Sequence, residues 1–128
     1  MKVSFVSIDR QYSSLETEFK EAFEEIGSSG QYILGEVVEE FEKNIASYCD
    51  SDFALGLANG SDALFLALKA MDIGEGDEVL VPELTWVATA SAPYYLGAKP
   101  VFVDVDKDTW TIDLKSAEKY LTSKTKAI

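Results

Sequence analysis

Two places in this 128-residue chain carry residue types and spacing that could do chemistry. The first is Asn59-Gly60-Ser61-Asp62, set between the apolar run Phe53–Leu57 and the apolar run Ala63–Met71. A strand, a tight turn and a helix start are the expected order. Ser61 or Asp62 can cap the first turn, and Gly60 lets the backbone bend and approach a ligand closely. The first amides of a helix have no partner within it and carry the positive end of its dipole, so such a turn can cradle a phosphate. The same pattern also suits a capped helix that binds nothing. The second place is Thr85-Trp86, just after the short apolar run Glu78–Pro82. On these residues alone Trp86 reads as a core residue before it reads as a ring-binding face.

The totals narrow the chemistry. Hydrophobic residues make up 47% of the chain, enough for a folded core. The net charge of −12 opposes nucleic acid and anionic membranes, so neither is an expected partner. A single bound phosphate is still allowed, because helix amides act locally. With no histidine, this chain has no serine–histidine or cysteine–histidine catalysis and no histidine-bound zinc. The lone cysteine, Cys49, forms no internal disulfide and ends an apolar helical pattern, where a small core residue is expected. No metal site is expected. The chain starts with no long apolar run and contains no stretch that could span a bilayer, so the expectation is a soluble, cytoplasmic protein.

The elements that must position these residues follow from hydrophobic period. Met1–Arg10 reads as an extended lead-in. Tyr12–Ile26 reads as a helix capped by Ser13 or Ser14, with Leu15, Phe19, Phe23 and Ile26 on one face and glutamates on the other. Gly27-Ser28-Ser29-Gly30 stops it, and Gln31-Tyr32-Ile33-Leu34-Gly35 forms an apolar loop suited either to a contact surface or to packing on its own domain. Val37–Tyr48 is a second amphipathic helix. Phe53–Leu57 is expected as a buried strand, and Ala63–Met71 as a helix apolar almost all round, hence buried on several sides. Glu78–Pro82 is a strand of the kind covered on both faces of a parallel sheet. Thr85 can cap a helix Val87–Ser91, which Pro93 disturbs. Val101–Val105 is a further strand, Asp113 can cap a helix Leu114–Leu121, and Lys126–Ile128 begins another strand. This alternation predicts an α/β architecture with a mainly parallel sheet and right-handed crossovers. In such sheets ligands sit beyond the carboxyl ends of strands, where both Ser61 and Trp86 would lie. The dinucleotide and Walker glycine patterns are absent.

The blocks Asn59–Leu64, Gly76–Pro82, Thr85–Thr89, Gly97–Val105 and Thr125–Ile128, with Gly30–Gly35 upstream, resemble the N-terminal part of the DegT/DnrJ/EryC1/StrS aminotransferases. The resemblance implies the large domain of the aspartate-aminotransferase fold (fold type I), with residues 1–128 as its N-terminal segment, in a homodimer. It implies pyridoxal 5′-phosphate (PLP) as cofactor, and a nucleotide-linked keto sugar and an amino donor, plausibly glutamate, as substrates. By position, the amides at Ser61 and Asp62 would hold the cofactor phosphate, with Gly60 shaping the turn and the Ser61 hydroxyl adding a bond. Trp86 would stack on the pyridine ring, and Gln31 and Tyr32 would belong to a substrate or dimer loop. None of the ten lysines matches the family's Schiff-base lysine, which is expected beyond Ile128, as is the aspartate facing the ring nitrogen. The chain therefore reads as truncated, with no catalytic residue of its own. The alternatives are a sugar dehydratase of the same family and a non-catalytic fragment or partner-binding module.

Overall fold

The computed structural model describes residues 3–128, so Met1 and Lys2 of the expected lead-in lie outside the described residues. The chain divides into two compact units, Met1–Gly56 and Leu57–Ile128.

The second unit is built on the strand β1 (Glu78–Pro82). It pairs in parallel with β2 (Lys99–Val103) on one side and β3 (Thr125–Ala127) on the other, giving the order β2-β1-β3. Three helices belong to this unit: α4 (Gly60–Ala70), α5 (Ala88–Tyr95) and α6 (Leu114–Tyr120). The central strand shows why its sequence is an unbroken apolar run. Val79 and Val81 pack on one side with Ile73, Ala98, Leu68 of α4 and Ala90 of α5. Leu80 faces the other way and packs with Val103 and with Ala117 of α6. Leu80 is 1% exposed and Val103 0%, so the core lies on both faces of the sheet. The fold class is therefore the α/β parallel arrangement expected from the sequence.

At the amino ends of the strands, the Glu78 carboxylate accepts hydrogen bonds from the Thr122 hydroxyl (2.7 Å) and from Lys99 Nζ (3.2 Å). These two bonds tie β1 to β2 and to the turn before β3. They hold the Glu78 carboxyl below the usual glutamate range, the Thr122 bond contributing most.

The first unit contains α1 (Ile8–Ser14), α2 (Glu16–Ser29) and α3 (Glu36–Tyr48). Part of the expected lead-in is thus helical, and Leu15 breaks the expected single helix in two. Ser13 and Ser14 cap nothing. Their hydroxyls donate backward to the carbonyls of Asp9 (2.9 Å) and Gln11 (2.8 Å), a local bond that competes with capping. Helix α2 runs through Gly27 and ends at Gly30, whose φ of 69° is the left-handed stop that glycine tolerates. Within this unit only Ala46 is a buried hydrophobic residue among those described.

Several further expectations are corrected. Phe53–Leu57 is not a strand. No other strand pairs with it among the described residues, the Gly56 amide donates to Glu42 Oε1 (2.7 Å), and Phe53 is 89% exposed. A ladder needs a neighbour, and apolar composition does not supply one. Helix α4 contains no buried residue despite its apolar circumference: it lies mainly against α5, and Leu68 is its packing residue beside Val79 and Val81. Cys49 is exposed, because it lies past the last turn of α3 as its C-cap rather than on the packed side. Helix α5 runs past Ser91 and through Pro93 to Tyr95. Pro93 sits in its last turn, where the carbonyl accepts from the amides of Leu96 (3.1 Å) and Ala98 (3.0 Å) and ends the helix. The strand expected at Val101–Val105 is Lys99–Val103, and Val105 instead bridges Ile112 in antiparallel fashion.

Candidate functional site

The start of α4 is set by Asn59, one residue before the glycine. Its backbone is extended, and its side-chain Oδ1 accepts a hydrogen bond from the Asp62 amide at 2.9 Å. The Asn59 Nδ2 donates in return to the Asp62 carboxylate at 3.0 Å. This reciprocal pair is the cap; neither Ser61 nor Asp62 plays that part, contrary to the expectation from their types. The pair has two consequences. It commits the Asp62 amide, and it holds the Asp62 carboxylate against the Asn59 amide group. The amides of Gly60 and Ser61 stay without an intrahelical partner at the positive end of the dipole. Gly60 has no positive φ, and a Cβ there would meet nothing, so the turn does not depend on glycine's special backbone freedom.

Trp86 sits in the connection from β1 to α5. Its carbonyl accepts from the Thr89 amide at 3.0 Å, and the Thr85 and Thr89 hydroxyls are hydrogen-bonded at 3.1 Å. The expected cap by Thr85 does not form: the cap position is Val87, with no side-chain bond to the helix amides, because the Thr85 hydroxyl is engaged with Thr89. The Trp86 side chain is not a core residue, at 76% exposure.

Ser61, Asp62 and Trp86 line one groove of about 580 Å³ with Phe65, Ser91 and Tyr95. That volume lies within the roughly 300–1,000 Å³ of small-molecule sites. One wall is the first turn of α4; the other is the connection to α5 and the face of that helix. Thus two stretches far apart in sequence meet, as their places after apolar runs suggested. Phe65, Ser91 and Tyr95 were not singled out from the sequence. Their signal was available as helical period: Phe65 lies one turn after Ser61 and Asp62, and Ala88, Ser91 and Tyr95 fall on one side of α5.

Gln31 and Tyr32 belong to the other unit. The Gln31 amide donates to Ser29 Oγ (3.1 Å), and the Tyr32 hydroxyl donates to the Gly27 carbonyl (3.3 Å). Their loop is tightly wound, with Leu34 at φ 57° and Gly35 at φ 97°. The φ at Gly35 is one that L side chains rarely adopt, so the position favours glycine; an added Cβ would also displace the end of the Gln31 side chain. Among the described residues no group of histidine, cysteine, aspartate and glutamate side chains is arranged to hold a metal ion.

The sequence profile of the DegT/DnrJ/EryC1/StrS aminotransferase family matches residues 13–128. The chain belongs to this family. Among its relatives is dTDP-3-amino-3,6-dideoxy-alpha-D-galactopyranose transaminase of Aneurinibacillus thermoaerophilus, 42% identical over 98% of this chain and 35% of the relative. The crystal structure of S. venezuelae DesV in complex with a ketimine intermediate superposes with a TM-score of 0.94 at 40% identity, over 98% of this chain and 34% of that one. E. coli GDP-4-keto-6-deoxy-D-mannose-3-dehydratase with bound hydrated PLP gives a TM-score of 0.79 at 30% identity, over 85% of this chain and 30% of that one. The chain spans about a third of the length of the curated relatives it matches. Its fold is thus that of part of the fold type I architecture of these enzymes.

Proposed function

We propose that this chain is the N-terminal segment of one cofactor-binding domain in a PLP-dependent aminotransferase that aminates a nucleotide-linked keto sugar, with glutamate as donor. The observation that carries the reading is the single groove shared by the first turn of α4 and Trp86. The groove's chemistry fits the cofactor at both ends. A phosphate dianion suits the Ser61 amide and hydroxyl, which line the groove, and the helix dipole; the Asp62 amide expected beside them is taken by Asn59, and the adjacent Gly60 amide stands in for it. A flat conjugated ring suits an exposed indole. When bound, PLP supplies an electron sink that stabilises negative charge on the carbon bearing the amine.

The residues of this chain bind and orient. Ser61 and the Gly60 amide anchor the phosphate. Asn59 acts one step back: it takes the Asp62 amide and turns that carboxylate toward itself, which moderates its repulsion of an anion. Trp86 sets the plane of the ring. The reading assigns no lysine of this chain to covalent chemistry; that lysine is expected in the other two thirds of the protein. Gln31 and Tyr32 are assigned to the substrate or dimer loop. Their support is the family resemblance of Gly30–Gly35 together with the wound, glycine-favouring conformation of that loop. The same resemblance supports a homodimer; a cytoplasmic location is part of the reading on the sequence expectation alone.

The test uses the full-length product of the native gene. Incubation with PLP and borohydride should leave one pyridoxyl group on the intact protein, and glutamate with a nucleotide-linked keto sugar should yield an amino sugar. Ser61→Ala should weaken PLP binding about tenfold, as expected for a bond to a charged group. Trp86→Ala should weaken it roughly three- to tenfold. A full-length protein that neither binds PLP nor transfers an amine sinks the proposal. The dehydratase likeness supports one second reading, deoxygenation of a keto sugar; PLP binding without a covalent adduct and with loss of a hydroxyl from the sugar would favour it.

A further inference from the structure

An indole exposed over most of its surface is not aimed by packing. Trp86 is such a residue, so its direction must come from its backbone. That backbone is pinned on both sides. The Thr85 hydroxyl, one residue before, meets the Thr89 hydroxyl, three residues after, at 3.1 Å. The Thr89 amide donates to the Trp86 carbonyl itself at 3.0 Å. Helix α5 has no conventional cap, since Val87 offers no side chain to its amides. The threonine pair therefore does the work of fixing the helix entry, and it does so around the one aromatic side chain that the connection sends into the groove.

We propose that Thr85 and Thr89 are positioning residues: a hydroxyl clamp across Trp86 that holds the indole over the groove before any ligand arrives. The inference rests on the proposed stacking role of Trp86 for its consequence, though not for its structural part. Pre-setting the ring spares the ligand the loss of side-chain and backbone freedom on binding. Either hydroxyl can be the donor, so serine at either position retains the clamp, whereas valine keeps the shape and removes the bond.

The test uses the full-length protein labelled with 5-fluorotryptophan, the Trp86 signal being identified by its loss in Trp86→Phe. Thr85→Val and Thr89→Val should each shift and narrow the Trp86 fluorine resonance in the cofactor-free protein, as a more mobile indole would. Thr85→Ser and Thr89→Ser should restore the parent signal. In parallel, a PLP titration should give a dissociation constant about three- to tenfold higher for the valine variants and near parent for the serine variants. A Trp86 resonance unchanged in both valine variants overturns the clamp. A changed resonance with an unchanged PLP dissociation constant keeps the clamp and overturns the stacking role of Trp86.

Discussion

The two units of this chain are both rich in apolar side chains, yet they use them in opposite ways. In Leu57–Ile128 a parallel sheet takes helices on both faces, and Leu80, Val81 and Val103 vanish from solvent. In Met1–Gly56 the helices are amphipathic by pattern, but Phe19, Phe23, Val37 and Phe41 stay exposed, and Ala46 is the buried hydrophobic residue among those described. Amphipathic period is a capacity to be buried. It turns into stability only where a second surface of matching shape is present. A strand with two ladder neighbours has that surface on either face; a helix in a small helical unit has to find one.

The largest expected effect that sharpens this contrast is in the sheet. Leu80→Ala should destabilise the chain by roughly 2–5 kcal/mol in denaturant unfolding, because the fully packed site cannot collapse around the cavity. Asn59→Ala should cost about 1 kcal/mol by the same measurement, through loss of the cap on α4. Asn59→Ser keeps an acceptor for the Asp62 amide and should recover part of it, whereas Asn59→Asp would set two carboxylates against each other and recover less. A smaller, pH-dependent effect belongs to Glu78. Its folded carboxyl titrates below the ordinary range, so the folded state binds fewer protons than the unfolded chain in that window. Its contribution is present above the ordinary glutamate range and is lost as pH falls through the depressed folded value. Glu78→Gln should flatten that part of a stability–pH profile, and an unaltered profile would assign the acid sensitivity elsewhere. The smallest effect is expected in the first unit. Phe23→Ala, at 79% exposure, should change the stability of this chain by no more than about 0.5 kcal/mol. A loss as large as that of Leu80→Ala would break the comparison, because it would mean that the apolar face of α2 is covered.

Legibility in the sequence followed how local each signal was. Strand β1 was readable to the residue, since an unbroken apolar run closed by proline needs no distant information. The Asp113 cap was readable for the same reason: its carboxylate accepts from the Lys115 amide two residues on, at 3.0 Å. The cap of α4 lies two residues before Ser61 and three before Asp62; Asn59, Ser61 and Asp62 are all good capping types, and only the backbone shows which is extended. Phe53–Leu57 has the composition of a strand but no strand partner, so the sequence predicts a strand that the fold does not form. Of the residues lining the groove, type and place point to Ser61, Asp62 and Trp86, while Phe65, Ser91 and Tyr95 look like ordinary helix residues in the sequence.

What the sequence by itself determined is the α/β class, the family, the central strand and the pair of stretches that line the groove. These depend on composition, period and spacing, which are properties of the chain. Only the tertiary structure decided the order β2-β1-β3, the exposure of α4 and Cys49, and the convergence of Ser61 and Trp86 on one groove. It also decided that Asn59 takes the Asp62 amide, while those of Gly60 and Ser61 have no intrahelical partner. Burial, pairing and a free hydrogen-bond donor are relations between elements. No residue carries them alone.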